Sequence, residues 1–246
     1  FKAGGSGFVG MALAHRYGAA KEAAPAIRIE DITNDETNRN ILRRLKQNDP
    51  NLDMLVVTPT RRYYYEDDAS CPQYCPEGAL DSGWIGYFIG KNTNLKGMAL
   101  CANPFDGFDN EPFFRGLCAN RSIQHIVFDR MESPWGGKIY QSMRPFCQKN
   151  QSLSKLWVHE SYFDAGCAQQ LSLVLRDCTS LKSVSFERYR MAEREEEEQF
   201  LVIIEALNMH PQLESLQLGY MNFGKYQCTM LSNLLHHTVT NLLEFK

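Results

Sequence analysis

The feature that most constrains this chain is a spacing. Seven short segments carry apolar residues at their first, fourth and, where complete, sixth places. They are Leu52-x-x-Leu55-x-Val57, Leu95-x-x-Met98-x-Leu100, Ile123-x-x-Ile126-x-Phe128, Leu153-x-x-Leu156-x-Val158, Leu181-x-x-Val184-x-Phe186, Leu213-x-x-Leu216-x-Leu218 and Leu242-x-x-Phe245. First places are separated by 43, 28, 30, 28, 32 and 29 residues, so one interval carries an insertion and the other five share a period. Self-similarity at such a period marks a solenoid, in which each unit buries its apolar face only against its neighbours.

Alternation puts the fourth and sixth places on one face of a short strand and the third and fifth on the other. Apolar residues at helical spacing follow several of the segments: Leu171, Val174 and Leu175; Ile203, Ile204 and Leu207; Leu231, Leu234 and Leu235. Strand then helix within about 28 residues forces neighbouring strands to run parallel, through right-handed crossovers. A helix is wider than the ~4.8 Å between strands, so the stack is expected to curve with its strands inside. The expected class is α/β, a curved solenoid with parallel strands on the concave face and helices on the convex one.

The period, and the run Ser161-Tyr162-Phe163-Asp164-Ala165-Gly166 leading into a helix, resemble the ribonuclease-inhibitor-like (RNI-like) family of leucine-rich repeats from roughly Leu52 onward. The family's asparagine-or-cysteine place after the strand is matched by Asn103 and replaced at Thr60, Met131, Ser161, Tyr189 and Met221. The resemblance implies a horseshoe that binds macromolecules on its concave face; the family includes inhibitors, GTPase regulators and ubiquitin-ligase adaptors.

One solenoid domain is expected over residues 1–246: an N-terminal segment 1–23, a capping repeat 24–51, and about seven repeats over 52–246 with an insertion near 59–82. The capping repeat rests on Ala24-x-x-Ile27-x-Ile29, placed 28 residues before Leu52, with Ile41, Leu42 and Leu45 following in helical phase. The last motif breaks off at Lys246 without the polar cap a solenoid needs, so a fragment, a truncated chain or an unusual edge is expected there.

A net charge of −3 supplies no drive toward nucleic acid or an anionic membrane. No apolar run approaches the ~20 residues of a membrane span, and no basic start followed by an apolar run marks a signal peptide. Of eight cysteines only Cys71 and Cys75 lie close together; the others are scattered singly among apolar residues, as buried small side chains are. A reducing compartment is expected, the cytoplasm or the nucleus.

The alternative to a binding module is a dehydrogenase-like enzyme. Gly4-Gly5-Ser6-Gly7-Phe8-Val9-Gly10 has the look of an NAD(P) phosphate-binding turn, with Glu30 and Asp31 about 20 residues on. Only Phe1-Lys2-Ala3 precede the glycines, which leaves no first strand, and the repeats leave no room for the rest of such a domain. Cys71 and Cys75 lack a second ligand pair for zinc. The acidic run around Arg194 (Glu193, Glu195, Glu196, Glu197, Glu198) is accounted for as a solvated helix start. The six histidines are dispersed, with His236 and His237 at a helix end, and no nucleophile-and-base arrangement emerges. Neither catalysis, nor a metal, nor a cofactor is expected.

The solvent-facing rows are therefore the candidate site. The third-place row is Met54, Gly97, His125, Lys155, Ser183, Ser215 and Glu244; the fifth-place row is Val56, Ala99, Val127, Trp157, Ser185, Gln217 and Lys246. Past the strands come Asp129-Arg130, His159-Glu160, Glu187-Arg188 and Gly219-Tyr220. Trp157 is expected to stand exposed as the anchor for a protein partner, ringed by polar groups, because a wet tryptophan is costly and commonly marks an interface; packing on Lys155 or His125 of the neighbouring rows is the other account of it. Arg130, Glu160 and Arg188 share one place in successive repeats and are expected to form a ladder of alternating charge, with His159 between Asp129 and Glu187 in the next row. A second candidate is the insertion, where Arg61, Arg62, Tyr63, Tyr64 and Tyr65 combine residue types frequent at interfaces; a loop that merely tolerates length explains it as well.

Overall fold

The structure is a computed structural model, and it describes residues 27–60, 71–132, 135–188, 190–191, 196–210, 212–219, 225, 228–229, 231–233 and 244–245. In chain order the strands are β1 (Met54–Val57), β2 (Gln73–Tyr74), β3 (Gly97–Cys101), β4 (His125–Asp129), β5 (Lys155–His159), β6 (Tyr162–Phe163), β7 (Ser183–Glu187), β8 (Arg190–Met191), β9 (Ser215–Gly219) and β10 (Glu244–Phe245). The helices are α1 (Glu36–Lys46), α2 (Ala79–Lys91), α3 (Glu111–Leu117), α4 (Trp135–Lys149), α5 (Ala165–Asp177) and α6 (Glu196–Leu207).

Every motif opens its strand at the third place, and the strands pair in parallel with identical register. Leu55, Met98, Ile126, Leu156, Val184 and Leu216 stand side by side across six strands, as do Val56, Ala99, Val127, Trp157, Ser185 and Gln217. A slip of one residue in any strand would turn its apolar set to the wrong face, so each unit fixes the register of the next. The first, fourth and sixth places of all six units from Leu52 to Leu218 are buried, none more than 9% exposed, in one core with the helices. Strand order follows chain order from β1 to β10, with β2 outside β1 and β6 pairing β8 in a small second sheet. This is an α/β solenoid of the leucine-rich-repeat type. The glycine turn Gly4–Gly10 lies outside the described residues.

A second device recurs in the turns before β3, β4 and β5. The side chain three residues before the motif's first place accepts from the two backbone N–H groups at its turn. Asn92 Oδ1 takes Asn94 and Leu95 at 2.8 and 2.7 Å, Asn120 Oδ1 takes Ser122 and Ile123, and Asn150 Oδ1 takes Ser152 and Leu153. Buried N–H groups are thereby satisfied within each turn. Cys178 and His210 hold the same place in the next two units, both buried.

Three expectations are corrected. At the start, Ile29–Asp31 form a 3₁₀ turn where the spacing suggested a capping strand, although α1 follows in phase with Ile41, Leu42 and Leu45 buried. The sheet edge is covered instead by β2, from the insertion: Val56 N–H donates to Pro72 O and Thr58 N–H to Tyr74 O, both at 3.0 Å. Asn38 clamps that segment through Cys75 O and N, and the Tyr74 hydroxyl donates to buried Asp81. Third, part of the row expected to face solvent does not. Val56, Ala99 and Val127 are 0–1% exposed and, with Cys101, form a small apolar cluster on the helix-free face, covered by Met54, Cys71 and Trp157. Small side chains there let larger neighbours close over them; a Cβ on Gly97 would sit 2.4 Å from the Met54 sulfur, so glycine is what lets Met54 lie flat.

Candidate functional site

The site is built by the turn that ends each strand. The residue at the eighth place of four successive units is left-handed: Ala102 (φ 49°), Arg130 (51°), Glu160 (44°) and Arg188 (51°). That conformation costs a residue with a Cβ roughly 1–2 kcal/mol. Each nevertheless keeps its N–H on the next strand, Ala102 to Asp129 O, Arg130 to His159 O, Glu160 to Glu187 O and Arg188 to Gly219 O, at 2.9–3.0 Å. Identical backbone geometry delivers the side chains in line. Arg130 Nε donates to Glu160 Oε2 at 2.6 Å and Arg188 Nη1 to Glu160 Oε1 at 3.0 Å, so the expected ladder of alternating charge is present. Hydrogen bonding from Arg130 above all, and then from Arg188, holds the Glu160 carboxyl below its ordinary range against the opposing cost of burial.

The row beside it is only partly as expected. His159 Nδ1 lies 2.8 Å from Asp129 Oδ1, and Asp129 is 2% exposed. Glu187, the second acid expected beside His159, takes Gln217 Nε2 at 2.6 Å and the Ser185 hydroxyl at 3.3 Å. Asp129, His159 and Glu160 offer donor atoms within 4.8 Å of one another. They make a poor cation site, because both Glu160 oxygens carry guanidinium groups that a metal ion would have to displace.

Trp157 takes the packed of its two expected places. Rather than standing exposed, it is half-buried, with its ring edge-on to His125 at 4.4 Å and 69° while it covers the Val56–Ala99–Val127 cluster. The reason is the register, which sets Trp157 directly beside Val127 and His125 beside Lys155. Lys155 is exposed, Gln217 half-buried, and Arg188 exposed. The structure thus brings His125, Trp157, Lys155, Asp129, Arg130, His159, Glu160, Glu187, Arg188 and Gln217 onto adjoining strands. Tyr220 and the insertion residues Arg61, Arg62, Tyr63, Tyr64 and Tyr65 lie outside the described residues.

Sequence reasoning passed over Trp135, 40% exposed with the Lys138 ammonium 4.3 Å above its ring, and Tyr162, 43% exposed. Trp135 shares helical phase with buried Ile139, which marks it as core; it is the first residue of α4 and is not among that helix's buried residues. No helix among the described residues is long and apolar enough to cross a membrane.

No protein-family model matches the chain, and no curated protein matches it. Among solved structures, it is similar to leiomodin-1 actin-binding site 2, at 13% identity over 81% of this chain and 88% of that one, with a TM-score of 0.43. It is also similar to the tropomodulin C-terminal domain of Caenorhabditis elegans, at 11% identity over 82% of this chain and 92% of that one, with a TM-score of 0.41. The strand register, not these likenesses, defines the fold.

Proposed function

We propose that the protein is a non-catalytic interaction module that holds a protein partner on the concave, helix-free face of its sheet, centred on Trp157. The observation that carries this is the placement of one large aromatic, already fixed by His125, at the border between a closed apolar cluster and a row of paired charges. A side chain held in place before binding loses less rotamer freedom on contact. Tryptophan and arginine dominate interface energetics, and the polar groups around Trp157 can exclude water from it. The Arg130–Glu160–Arg188 ladder then sets orientation more than affinity, since its members are satisfied in the free protein. We assign its work to a reducing compartment, the cytoplasm or the nucleus, in keeping with eight free thiols.

The test is alanine scanning against a protein partner captured by the wild-type chain. Losses concentrated at Trp157, Lys155 and His125, with Gln169 on α5 neutral, support the reading. Uniform small losses, or losses confined to the helix side, end it.

A further inference from the structure

The helix layer is uneven, and the unevenness opens a cleft. α2 and α3 approach so closely that a Cβ on Gly86 would lie 2.3 Å from the Phe113 carbonyl oxygen, and one on Gly90 2.2 Å from that of Gly116. Glycines at these positions draw α3 against α2. α3 has only seven residues, about 10 Å of helix, and it barely touches α4. Between them lies a cavity of about 550 Å³.

Its lining divides by chemistry. Phe114, Cys118 and Ala119 give an apolar wall from the α3 side, and Pro145 faces them from within α4. The mouth carries Arg115, Arg121 and Lys149 against one acid, Glu111. Glu111 is taken by Arg115 in an ion pair one helical turn away. Arg121 donates Nη1 to the carbonyl oxygens of Cys118 and Asn120, at 2.8 and 2.7 Å, and neither it nor Lys149 has a carboxylate partner among the described residues. Two cations without counter-charge therefore stand over an apolar wall. A pocket of this volume suits a small ligand rather than a folded segment, and a two-turn helix is too short to seat a partner helix of ordinary length.

We infer that the α3–α4 cleft binds a small anionic amphiphile, its head group between Arg121 and Lys149 and its apolar body against Phe114, Cys118 and Pro145. The site lies in the helix layer, away from Trp157, so it stands or falls separately from partner binding on the sheet.

The test uses the whole chain with anilinonaphthalene sulfonate as an anionic probe and phenylnaphthylamine as its neutral counterpart. Saturable binding of the anion is expected, weakened about three- to tenfold in the double variant Arg121→Gln/Lys149→Gln and by added salt, with the neutral probe insensitive to both. Cys118, half-buried on the wall, supplies a local readout: saturating anion should slow its alkylation by iodoacetamide, followed by peptide mass, while Cys71 reacts at an unchanged rate. Ala119→Trp, at an exposed position, should fill the cleft and remove anion binding. An unprotected Cys118, or a double variant that binds the anion as tightly as the wild type, overturns the inference. Should Ala119→Trp fail to fold, Cys118 protection in the wild-type chain decides alone.

Discussion

The first three strands of the repeat ladder and the last three present the same row to the helix-free face and do opposite things with it. Val56, Ala99 and Val127 are sealed under Met54, Cys71 and Trp157. Trp157, Ser185 and Gln217 continue the row with larger or polar side chains, hydrogen-bonded onward to Glu187 in the last two cases. The backbone is the same in both halves, paired residue for residue. Architecture therefore fixes where a side chain emerges, and its size and polarity decide whether the face closes on itself or stays available. A partner gains little from a face already buried; in the second half Ser185 is buried as well, and half-buried Trp157 and Gln217 are where contacts remain to be made.

That contrast can be broken or sharpened by substitution. The largest effect is expected in the shared core: Leu156→Ala should cost ~2–5 kcal/mol of stability, while Val127→Ala in the sealed cluster should cost about 1–2 kcal/mol, both read from denaturant midpoints. A Val127→Ala chain as stable as the wild type would show that the first half is not closed. Next, Trp157→Ala should weaken partner binding by about 2 kcal/mol, whereas Val56→Ala should leave affinity unchanged while the protein stays folded. Equal losses at the two would erase the distinction between the halves.

The turns also differ along the stack, with Asn92, Asn120 and Asn150 before β3, β4 and β5 and His210 before β9. The His210 ring, 3% exposed, bonds the Leu175 carbonyl through Nε2 at 2.8 Å, and burial pushes its pKa below the ordinary 6.5 against that bond's opposing pull. The unfolded chain then binds more protons than the folded one as pH falls below 6.5, so acidification should lower stability through this group. His210→Asn should flatten that dependence in melts across the range; an unchanged profile would assign the acid sensitivity elsewhere. The smallest effect is expected at the ladder. Glu160→Gln should cost only a few tenths of a kcal/mol, as exposed pairs do. Because Arg130 depresses the Glu160 pKa, its contribution is present above the ordinary 4.5 and fades as pH falls below that value.

Much of this was legible because its causes are local. The apolar alternation of Leu156 and Val158 sets the strand's face, and equal spacing makes Arg130, Glu160 and Arg188 neighbours ~5 Å apart on the sheet. What stayed hidden depends on distant approach. Ile27 and Ile29 carry strand spacing, yet the edge beside β1 belongs to Gln73 and Tyr74, two residues too few to announce a strand. The burial of Val56 and Ala99 required Met54 to lie over Gly97, and the α3–α4 cleft required glycines on two helices to meet. The asparagines three places before the second, third and fourth motifs stand plainly in the sequence, yet a polar residue beside a helix end suggests solvent rather than a buried turn.

The claim that a partner sits on the helix-free face near Trp157 is tested most directly by photo-crosslinking. A benzoylphenylalanine at Lys155, exposed and beside His125 in the ladder, and another at Gln169 on α5 would be irradiated in turn with the captured partner. A discrete adduct from position 155 that disappears when Trp157→Ala is added, with none from position 169, is the predicted result. An adduct from position 169 alone, or one at 155 that survives the loss of Trp157, would contradict it.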